Sequence, residues 1–455
     1  MTGIKTDVFC SAGLILPDAG ARQINIGGWS ADSLYGVRFY TPDGAPGINS
    51  TNMWEENVNA IALQAPRWYP SAMMMTNGSI LIVGGEDGSN GVPTPSLELL
   101  PPAGPALYCD WLKQSDPNNL YPFLFVLPSS GIFVSYWNQA RILDPITLLT
   151  RRLLPQLPGS VIEPLSGRTY PFEGTAVLLP QSAPYTDPLT VLICGGSGPG
   201  ASIALDNCVS IAPDVPNATW TLERMPSKRV LSCMVSLPDG TFLILNGAQQ
   251  GVAGFGLAEN PNLNAVLYDP AKPIGARMTI MANTTIPRLY HNEAVLMDDG
   301  RVLVSGSDPQ SPEFPEEMRV EVFNPPYILD MNAATRLAFT LDNGRESYGY
   351  SDTISVTLTN AAAGAVARVS LLAAVASTHG NSMGQRTIFP AFSCSGSKCS
   401  ITTPPNANVS PPAWFQMFLV DANGTPSWAK WVRIGGDPGG VGEWPQGAGF
   451  TRPGS

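Results

Sequence analysis

The feature that most constrains the fold is a hairpin pattern that occurs six times before residue 320. Each copy has an apolar strand, a turn that contains Gly in five of the six copies, a second apolar strand, and then Gly-Gly or a remnant of it. A Gly-containing turn between two apolar runs is a signal for a β-hairpin. The copies recur at a spacing of roughly 50 residues, which is typical of folds that repeat one supersecondary unit. They span residues 14–28, 73–85, 125–137, 177–196, 235–248 and 295–307.

This repeat, together with the composition, predicts an all-β protein. The 455 residues include 45 Gly and 44 Pro, and only 13% are charged, which suits short strands and tight turns better than helices. We expect residues 1–330 to form a kelch-type β-propeller in which each hairpin is the centre of one four-stranded blade. Six or seven blades are compatible with the sequence, and we favour seven, with one closed by strands that lack the pattern. The alternative is an ordinary β-sandwich with repeated turns, and the regular spacing argues against it.

The repeat ends near residue 330, and a different pattern follows. Residues 331–436 contain runs that alternate apolar and polar side chains, such as "DTISVTLT" and "AKWVRIGG", with turn signals between them. This pattern predicts a small immunoglobulin-like β-sandwich. Residues 437–455 are rich in Gly and Pro and are expected to form an extended tail.

The net charge and the positions of the cysteines limit which binding partners and which cellular compartment the protein can have. A net charge of −11 gives no electrostatic basis for binding nucleic acid or an anionic membrane. No apolar run approaches the roughly 18 to 20 residues of a membrane span. Two cysteine pairs, Cys194 with Cys208 and Cys394 with Cys399, are close enough in sequence to close short disulfide loops, which would indicate secretion.

Two further signals favour an extracellular protein. The chain contains six N-x-S/T glycosylation motifs, at Asn49, Asn77, Asn217, Asn283, Asn408 and Asn423. The opening "MTGIKTD" is typical of a processed start, so an export signal is expected to have been removed.

Aligning the hairpins on their turn glycines collects chemically distinctive residues at equivalent positions. They lie just before the first strand or just after the second strand of a hairpin. Because these two strands are antiparallel, both positions lie at the same mouth of the central channel. The residues are Cys10, Trp29, Tyr69, Tyr121, Trp137, Tyr170, Arg229, Tyr290 and His291.

The chain has only two histidines, and one of them lies at this mouth. His291 follows Tyr290 at the mouth, and an irregular strand start is needed for both side chains to reach one point. His379 follows an apolar strand of the predicted sandwich, so a loop would project it; if the sandwich packs against the mouth, His379 can enter it. A solvated loop histidine is the alternative. Two imidazoles with phenolate oxygens form a mixed N/O set that suits Cu(II) better than zinc.

Three segments resemble the copper radical oxidases, the family of galactose oxidase and glyoxal oxidase. They are "RWYPSAMMMTNGSILIVGG", "RLYHNEAVLMDDGRVLVSGSDP" and "STHGNSMGQR", and the likeness covers nearly the whole chain. "GRTYPFEGTAVLLP" and "LNGAQQGVAGFG" are more similar to the glyoxal oxidase branch. The resemblance implies one copper ion bound by Tyr69, Tyr290, His291 and His379, the last supplied by the sandwich, with one position left for water or substrate. It also implies that Cys10 is joined to Tyr69 by a thioether, which together form a radical cofactor.

The resemblance also has a consequence for the pairing of the remaining cysteines. If Cys10 is consumed in the thioether, six of the seven cysteines are left. We then expect disulfides Cys194–Cys208 and Cys394–Cys399. The sequence leaves open whether Cys109 and Cys233 pair or stay free.

The implied reaction is a two-electron oxidation coupled to dioxygen. Tyr290 would accept the proton of the substrate, the radical on Tyr69 would take a hydrogen atom, and dioxygen would leave as hydrogen peroxide. We expect a secreted, monomeric oxidase of small aldehydes, such as hydrated glyoxal or methylglyoxal, whose peroxide secreted peroxidases would use. The alternatives are a copper radical oxidase of primary alcohols and, from another class, a non-catalytic propeller that binds glycans or protein partners.

Roles around the implied centre are open. Trp29 or Trp137 could shield the radical, and either could equally be packing between blades. Tyr121, Tyr170 and Arg229 could bind oxygen atoms of the substrate, and the alternative for each is again blade packing.

Overall fold

The structure is a computed structural model that describes residues 4–18, 20–41, 53–159, 164–200, 202–329, 336–361 and 363–435. The predicted tail, the sequon at Asn49 and the predicted domain boundary between residues 330 and 331 lie outside the described residues.

The N-terminal part of the chain forms six sheets, one for each hairpin repeat, which we call blades 1 to 6. The first strand of each blade lies innermost and packs beside the first strand of neighbouring blades, as expected for a β-propeller. Blade 1 comprises β1 (Ala12–Ile15), β2 (Gln23–Ile26), β3 (Val37–Thr41) and β4 (Met53–Glu56). Blade 2 comprises β5 (Ser71–Met74), β6 (Ile80–Val83), β7 (Ser96–Leu100) and β8 (Leu107–Tyr108). Blade 3 comprises β9 (Phe123–Val126), β10 (Ile132–Tyr136), β11 (Gln139–Leu143) and β12 (Thr150–Leu153).

The other three blades carry additional strands or lack one. Blade 4 comprises β13 (Thr175–Leu178), β15 (Val191–Cys194), β16 (Asn207–Ile211) and β17 (Thr221–Arg224), with the short β14 (Gln181–Ser182) in its first hairpin. Blade 5 comprises β18 (Cys233–Ser236), β19 (Phe242–Leu245), β22 (Asn264–Tyr268) and β23 (Met278–Asn283), with an inserted hairpin of β20 (Ala248–Gly251) and β21 (Ala258–Pro261). Blade 6 has three strands, β24 (Glu293–Leu296), β25 (Val302–Ser305) and β26 (Glu321–Phe323).

A few short helices connect these elements. They are α1 (Asp110–Ser115), α2 (Pro326–Leu329) and the 3₁₀ turns Ala31–Tyr35, Asp342–Gly344 and Ala363–Ala365. Among the described residues, no helix is long and apolar enough to cross a membrane.

The Gly-Gly repeat has a steric cause. Gly195 and Gly196 follow the second strand of blade 4 with φ of +72° and +122°. A Cβ on Gly195 would lie 2.6 Å from the carbonyl oxygen of Arg229, where the chain enters blade 5. A side chain at this position would therefore displace the next blade.

The second domain is a two-layered β-sandwich. Its strands are β27 (Phe339–Leu341), β28 (Ser347–Tyr348), β29 (Thr353–Leu358), β30 (Arg368–Ala373), β33 (Thr387–Phe389), β34 (Phe392–Ser395), β35 (Lys398–Thr402), β36 (Ala413–Val420) and β37 (Lys430–Ile434). One sheet has the order β27-β29-β35-β34. The other has the order β14-β33-β30-β36-β37-β28, so β14 of the propeller joins it. Its core includes Ile354, Val356, Phe415 and Met417.

The sandwich packs against the end of the propeller that carries the hairpin turns, opposite the mouth. Trp414 Nε1 donates to Asp18 O at 2.8 Å, and Arg386 Nη2 donates to Val126 O at 2.8 Å. Gln416 Nε2 likewise donates to Asp298 Oδ1 at 2.9 Å. The condition under which His379 was considered able to enter the mouth, a sandwich packed against it, is therefore not met.

His379 reaches the mouth by another route. Strands β31 (Ala376–Thr378) and β32 (Asn381–Met383) form a hairpin that leaves the sandwich and enters the channel. There β32 pairs with β13 of blade 4 through Ala176 and Asn381, and β31 packs against β1 and β24. His379 and Gly380, with φ of +52° and +69°, form the tip of this hairpin.

The number of blades can be counted from the sheets of the described residues. Six blade sheets are present in the described ranges, and a seventh, which we favoured, is not among them. The channel hairpin contacts the inner strands of blades 6 and 1, which are the last and the first of the series.

The cysteines pair as expected. Cys194–Cys208 joins opposite residues of neighbouring strands in blade 4, and Cys394–Cys399 closes a hairpin of the sandwich. Cys10, Cys109 and Cys233 are free and buried, so Cys109 and Cys233 do not pair.

Candidate metal centre

The strand starts at the mouth share an unusual backbone conformation. In five blades, the residue that lies two positions before the first strand has a φ between +48° and +62°, a region that L-residues adopt rarely. The residues are Cys10, Tyr69, Tyr121, Leu231 and His291. This is the irregular strand start that the sequence required at Tyr290 and His291, and it brings both side chains to one point.

Five candidate residues converge at this mouth. The hydroxyl oxygens of Tyr69 and Tyr290 are 3.2 Å apart, and His379 Nε2 lies 3.4 Å from the Tyr290 oxygen. Cys10 Sγ is 3.8 Å from the same His379 nitrogen. The ligating atoms of Cys10, His291 and His379 all lie within 4.8 Å of one another.

Both imidazoles have the protonation state that a metal ligand needs. Burial lowers the pKa of His291 to about 4 and lowers the pKa of His379 well below its ordinary value, so both rings are neutral at neutral pH. His291 Nε2 is buried and has no hydrogen-bond partner within the described part of the chain. An unpartnered buried nitrogen is costly unless another group binds it, and neutral imidazole is the form that binds metals.

The phenols and the thiol are held protonated. Burial raises the pKa of Tyr69, of Tyr290 and of Cys10, because it disfavours their anions. A divalent cation among them would oppose this effect and favour phenolate. The mixed nitrogen and oxygen donor set, with an orphaned nitrogen among it, fits a copper ion.

Two aromatic rings cover Tyr69. Tyr170 stacks on it with ring centroids 4.3 Å apart. The indole of Trp68 lies 4.2 Å from the same ring and donates from Nε1 to Phe9 O. The sequence comparison missed Trp68 because strand neighbours normally point to opposite faces, whereas the positive φ of Tyr69 removes that alternation.

Two phenylalanines at the mouth were also missed. Phe255, at the tip of the inserted hairpin of blade 5, makes edge contacts with Tyr290 and His291 at 5.5 and 5.4 Å. Phe9 contacts His291 at 5.3 Å and stacks near Phe255. The sequence signal for Phe255 was "GVAGFG", a Gly-rich insertion with one aromatic residue.

Blade 4 carries Glu173, not Tyr170, at the position equivalent to Tyr69. Glu173 is two residues before β13 and is buried, and its Oε2 has no hydrogen-bond partner in the described ranges. Burial and the nearby Glu293 carboxyl raise its pKa well above the usual range, which keeps it protonated. The alignment failed here because the turn of this hairpin is longer and contains no glycine from which to count.

The remaining candidates are placed away from the donors. Trp29 is 44% exposed, and its ring contacts Trp68 at 6.4 Å. Trp137 donates from Nε1 to Leu165 O. Among the described residues, neither ring contacts Tyr69.

Arg229 and Tyr121 are both buried. Arg229 is fully buried, and its guanidinium donates to Asn246 O at 2.8 Å and to Asn264, so it links strands of blade 5. These bonds hold the guanidinium inside blade 5, so the role of Arg229 in binding substrate stays a prediction that its placement does not favour. Tyr121 is 1% exposed and stacks behind His379 at 4.8 Å.

Choosing the site by cavity volume alone would select a cavity that contains none of the donors. A cavity of about 590 Å³ lies between the sandwich and the propeller, lined by residues such as Met234, Leu296 and Trp414, and contains none of the donors. A smaller cavity of about 240 Å³ adjoins the donors and is lined by Phe9, Cys10, His291, Asn292, Glu293, Ser377, Thr378 and His379.

Comparison with known proteins identifies the family of this chain. The family description Glyoxal oxidase N-terminus matches residues 2–327, and Galactose oxidase-like, Early set domain matches residues 339–434. The chain is 61% identical over 451 residues to a WSC domain-containing protein of Arthroderma benhamiae, covering 99% of this chain and 48% of that protein. It therefore spans about half the length of that relative.

A second relative and a solved structure extend the comparison. The chain is 34% identical over 455 residues to the aldehyde oxidase GLOX of Vitis pseudoreticulata, covering 95% of this chain and 82% of that protein. A fungal alcohol oxidase in complex with copper superposes with a TM-score of 0.74 at 19% identity, covering 94% of this chain and 86% of that one, which shows a shared fold. Since the N-terminal match covers more than half of the chain and a relative above 30% identity is covered over most of its length, the chain belongs to the glyoxal oxidase family of copper radical oxidases.

Proposed function

We propose that this protein is a copper radical oxidase that oxidises small aldehydes, through their hydrates, to carboxylic acids and reduces dioxygen to hydrogen peroxide. The observation that carries the proposal is the convergence of Cys10, Tyr69, Tyr290, His291 and His379 at one mouth. These residues come from three blades and the channel hairpin, and packing of a propeller alone does not require this donor set.

Four residues would hold the copper ion, namely Tyr69, Tyr290, His291 and His379. When bound, copper together with a radical on the thioether-linked Tyr69 supplies two one-electron acceptors, which is what a two-electron oxidation needs. Tyr290 is the base, because its oxygen hydrogen-bonds both Tyr69 and His379 Nε2 and can receive the proton of the substrate hydroxyl. Tyr170 and Trp68 keep water away from the Tyr69 ring.

The thioether is supported by the position of Cys10. The Cys10 carbonyl accepts from the backbone amide of Tyr69 at 3.2 Å, and its Sγ lies 3.8 Å from His379 Nε2, at the mouth where the Tyr69 hydroxyl also lies. Forming the carbon–sulfur bond removes one hydrogen from the thiol and one from the ring, and dioxygen takes the two electrons. The mature protein is therefore expected to be two hydrogen atoms lighter than its sequence.

A small substrate is supported by the site's dimensions. The cavity beside the donors, about 240 Å³, is below the ~300 to 1,000 Å³ of typical ligand pockets. Phe9, Phe255 and Tyr170 surround the donors with aromatic surface, and Arg229, the cation considered for binding substrate oxygens, is held inside blade 5. We therefore favour compact dicarbonyls such as glyoxal and methylglyoxal over sugars.

An extracellular location is part of the proposal. Two disulfides persist only where thiols are not kept reduced, and they join strands in both domains. In that setting the peroxide could supply secreted peroxidases.

The test is peroxide release by copper-loaded, oxidant-activated protein. Substrates would be glyoxal, methylglyoxal, glycerol, galactose, benzyl alcohol and a linear alkanol. We expect the dicarbonyls to be fastest, and a preference for an alcohol would replace our substrate class by primary alcohols. Silence on all of them, without the mass loss that reports the thioether, would favour a non-catalytic propeller that binds glycans or partners.

Cys10→Gly is the matched variant for this assay, because glycine adopts the φ of +55° at this position without strain. We expect peroxide release to fall by at least about two orders of magnitude, or about 2.7 kcal/mol of barrier. Cys109→Ala removes another buried free thiol, outside the site, and should leave the rate and the mass loss unchanged.

A further inference from the structure

The cavity beside the donors is lined by one carboxyl group. Of the eight residues that line this cavity of about 240 Å³, only Glu293 is acidic, and three belong to the candidate metal centre, namely Cys10, His291 and His379. Glu293 is the first residue of β24, two residues after His291. Its Oε1 accepts from the backbone amide of Ala294 at 3.1 Å. Its Oε2 is buried and has no hydrogen-bond partner among the described residues.

The other polar side chains of the lining already have partners. Asn292, Ser377 and Thr378 each make a hydrogen bond. The partners, in the same order, are Leu231 O at 2.8 Å, Ser382 Oγ at 3.1 Å and His379 Nδ1 at 2.7 Å. Two buried atoms of the lining therefore lack a partner in the described part of the chain, His291 Nε2 and Glu293 Oε2. The proposed copper ion would bind His291, so Glu293 Oε2 is left for another ligand.

The proposed substrate has a hydroxyl that needs such a partner. An aldehyde hydrate carries one hydroxyl more than the corresponding primary alcohol. One hydroxyl gives its proton to Tyr290 in the proposed reaction, and the other stays on the same carbon. A buried hydroxyl is costly unless it is hydrogen-bonded. The Glu293 carboxyl can bond to it whether or not the carboxyl is protonated, because a hydroxyl both donates and accepts.

We propose that Glu293 binds this second hydroxyl through Oε2 and thereby selects aldehyde hydrates over primary alcohols. The proposal deepens the proposed function and rests on it for the reaction. A primary alcohol would leave Glu293 Oε2 buried and unpaired. A site built to bond a hydroxyl discriminates strongly against a ligand that lacks it, for that reason. Glu293 is thus a substrate-binding residue that determines the substrate class.

Binding can be measured without copper and without turnover. Trifluoroacetaldehyde exists in water as its hydrate, and trifluoroethanol is the same molecule with one hydroxyl fewer. Titration of both with full-length apo protein, followed by ¹⁹F NMR, gives their Kd values. Neither ligand has a metal ion to bind, so the difference reports the second hydroxyl. We expect the hydrate to bind about 10- to 100-fold more tightly. Wild-type protein that does not prefer the hydrate would overturn the proposal.

Substitutions assign the preference to Glu293. Glu293→Met should abolish it by weakening the hydrate alone, because methionine has a similar length and cannot form the hydrogen bond. Glu293→Gln should keep most of it, since the amide can accept from Ala294 with its oxygen and donate to the hydroxyl with Nε2. Both ligands are measured on the same sample, so partial misfolding does not change the ratio of their Kd values.

Glu259→Met is the matched control. This carboxyl is exposed on β21, in the inserted hairpin whose tip carries Phe255. We expect the preference for the hydrate to stay at its wild-type value in this variant. A preference that persists in Glu293→Met, or that disappears equally in Glu259→Met, would refute the role of Glu293.

Peroxide release gives a second readout, with methylglyoxal and hydroxyacetone as substrates. Hydrated methylglyoxal differs from hydroxyacetone by one hydroxyl, so Glu293→Met should lower kcat/KM for methylglyoxal by about 10-fold or more and change that for hydroxyacetone by no more than about 3-fold. Fast turnover of methylglyoxal with an unchanged ratio in Glu293→Met would refute the role of Glu293 and leave the proposed function in place. A Glu293-dependent preference for the hydrate in a protein that oxidises neither substrate would support the binding role and refute the proposed function.

Discussion

The hydroxyl oxygens of Tyr69 and Tyr290 lie 3.2 Å apart although the residues are separated by 221 positions in the chain. Each residue precedes the first strand of a different blade, and aromatic neighbours bury both rings. Burial raises the pKa of both phenols, so one hydroxyl donates to the other when no cation is present. The propeller therefore holds two neutral phenols in hydrogen-bond contact at the mouth.

Tyr290→Phe tests the role of Tyr290 as the base. Removing its hydroxyl should reduce kcat by about 10²- to 10⁴-fold, the usual contribution of a positioned base, while Tyr69, His291 and His379 still bind copper. Steady-state peroxide assays and copper analysis of the same sample would measure both. Tyr40→Phe, which changes the third strand of blade 1, is the control. A kcat within a few fold of wild type would rule out Tyr290 as the base.

The pH dependence of stability tests the environment of His291. Burial lowers its pKa from 6.5 to about 4, so between these values the unfolded chain binds more protons than the folded apo protein. Its contribution to stability is fully present above pH 6.5 and is lost as the pH falls toward 4. The loss is at most about 1.4 kcal/mol for each pH unit.

Urea unfolding of apo wild type and His291→Gln at several pH values between 7 and 4.5 would isolate this contribution. Other groups titrate in both proteins, so only the difference between the two curves is informative. We expect wild type to lose stability relative to His291→Gln as the pH falls. Parallel curves would show that His291 is not shielded from solvent.

The aromatic cover of Tyr69 can be assigned by substitution. Tyr170→Leu removes the ring stacked on Tyr69 and should shorten the lifetime of the oxidised, radical form several-fold in the absence of substrate, because water and reductants gain access. Trp29→Ala, at an exposed ring that does not touch Tyr69, should leave that lifetime unchanged. The decay of the radical absorption gives both values, and the opposite ranking would restore Trp29 as the shield.

Arg229→Met separates a structural role from substrate binding. The variant leaves the carbonyls of Asn246 and Asn264 without their buried donor, which should cost on the order of 1–3 kcal/mol of unfolding free energy. KM for the dicarbonyls should not change. Arg151→Met, at an exposed side chain, should alter the unfolding free energy by no more than about 0.5 kcal/mol. A raised KM with intact stability would return Arg229 to the pocket.

Local patterns predicted most of the fold and the donor residues. Alternating apolar runs and Gly-containing turns are short-range signals, so they identified the hairpins of the propeller and the strands of the sandwich. Cys10, Tyr69, Tyr290 and His291 were found because equivalent positions of a repeat reach the same end of the channel. Register errors appeared where the hairpin length changed, as at Tyr170 and Glu173.

Long-range packing decided the rest. The sequence by itself determined a β-propeller followed by a sandwich, two disulfides, and a set of donors whose chemistry suits copper, because strand periodicity, turn residues and repeat spacing are local properties of the chain. Only the tertiary structure decided that the sandwich binds the far end of the propeller, that a hairpin carries His379 through the channel, and that Trp68, Phe9 and Phe255 surround the site. Those arrangements depend on which buried surfaces fit together and on a positive φ that reverses the direction of single side chains. The order of apolar and polar residues along the chain specifies neither of these.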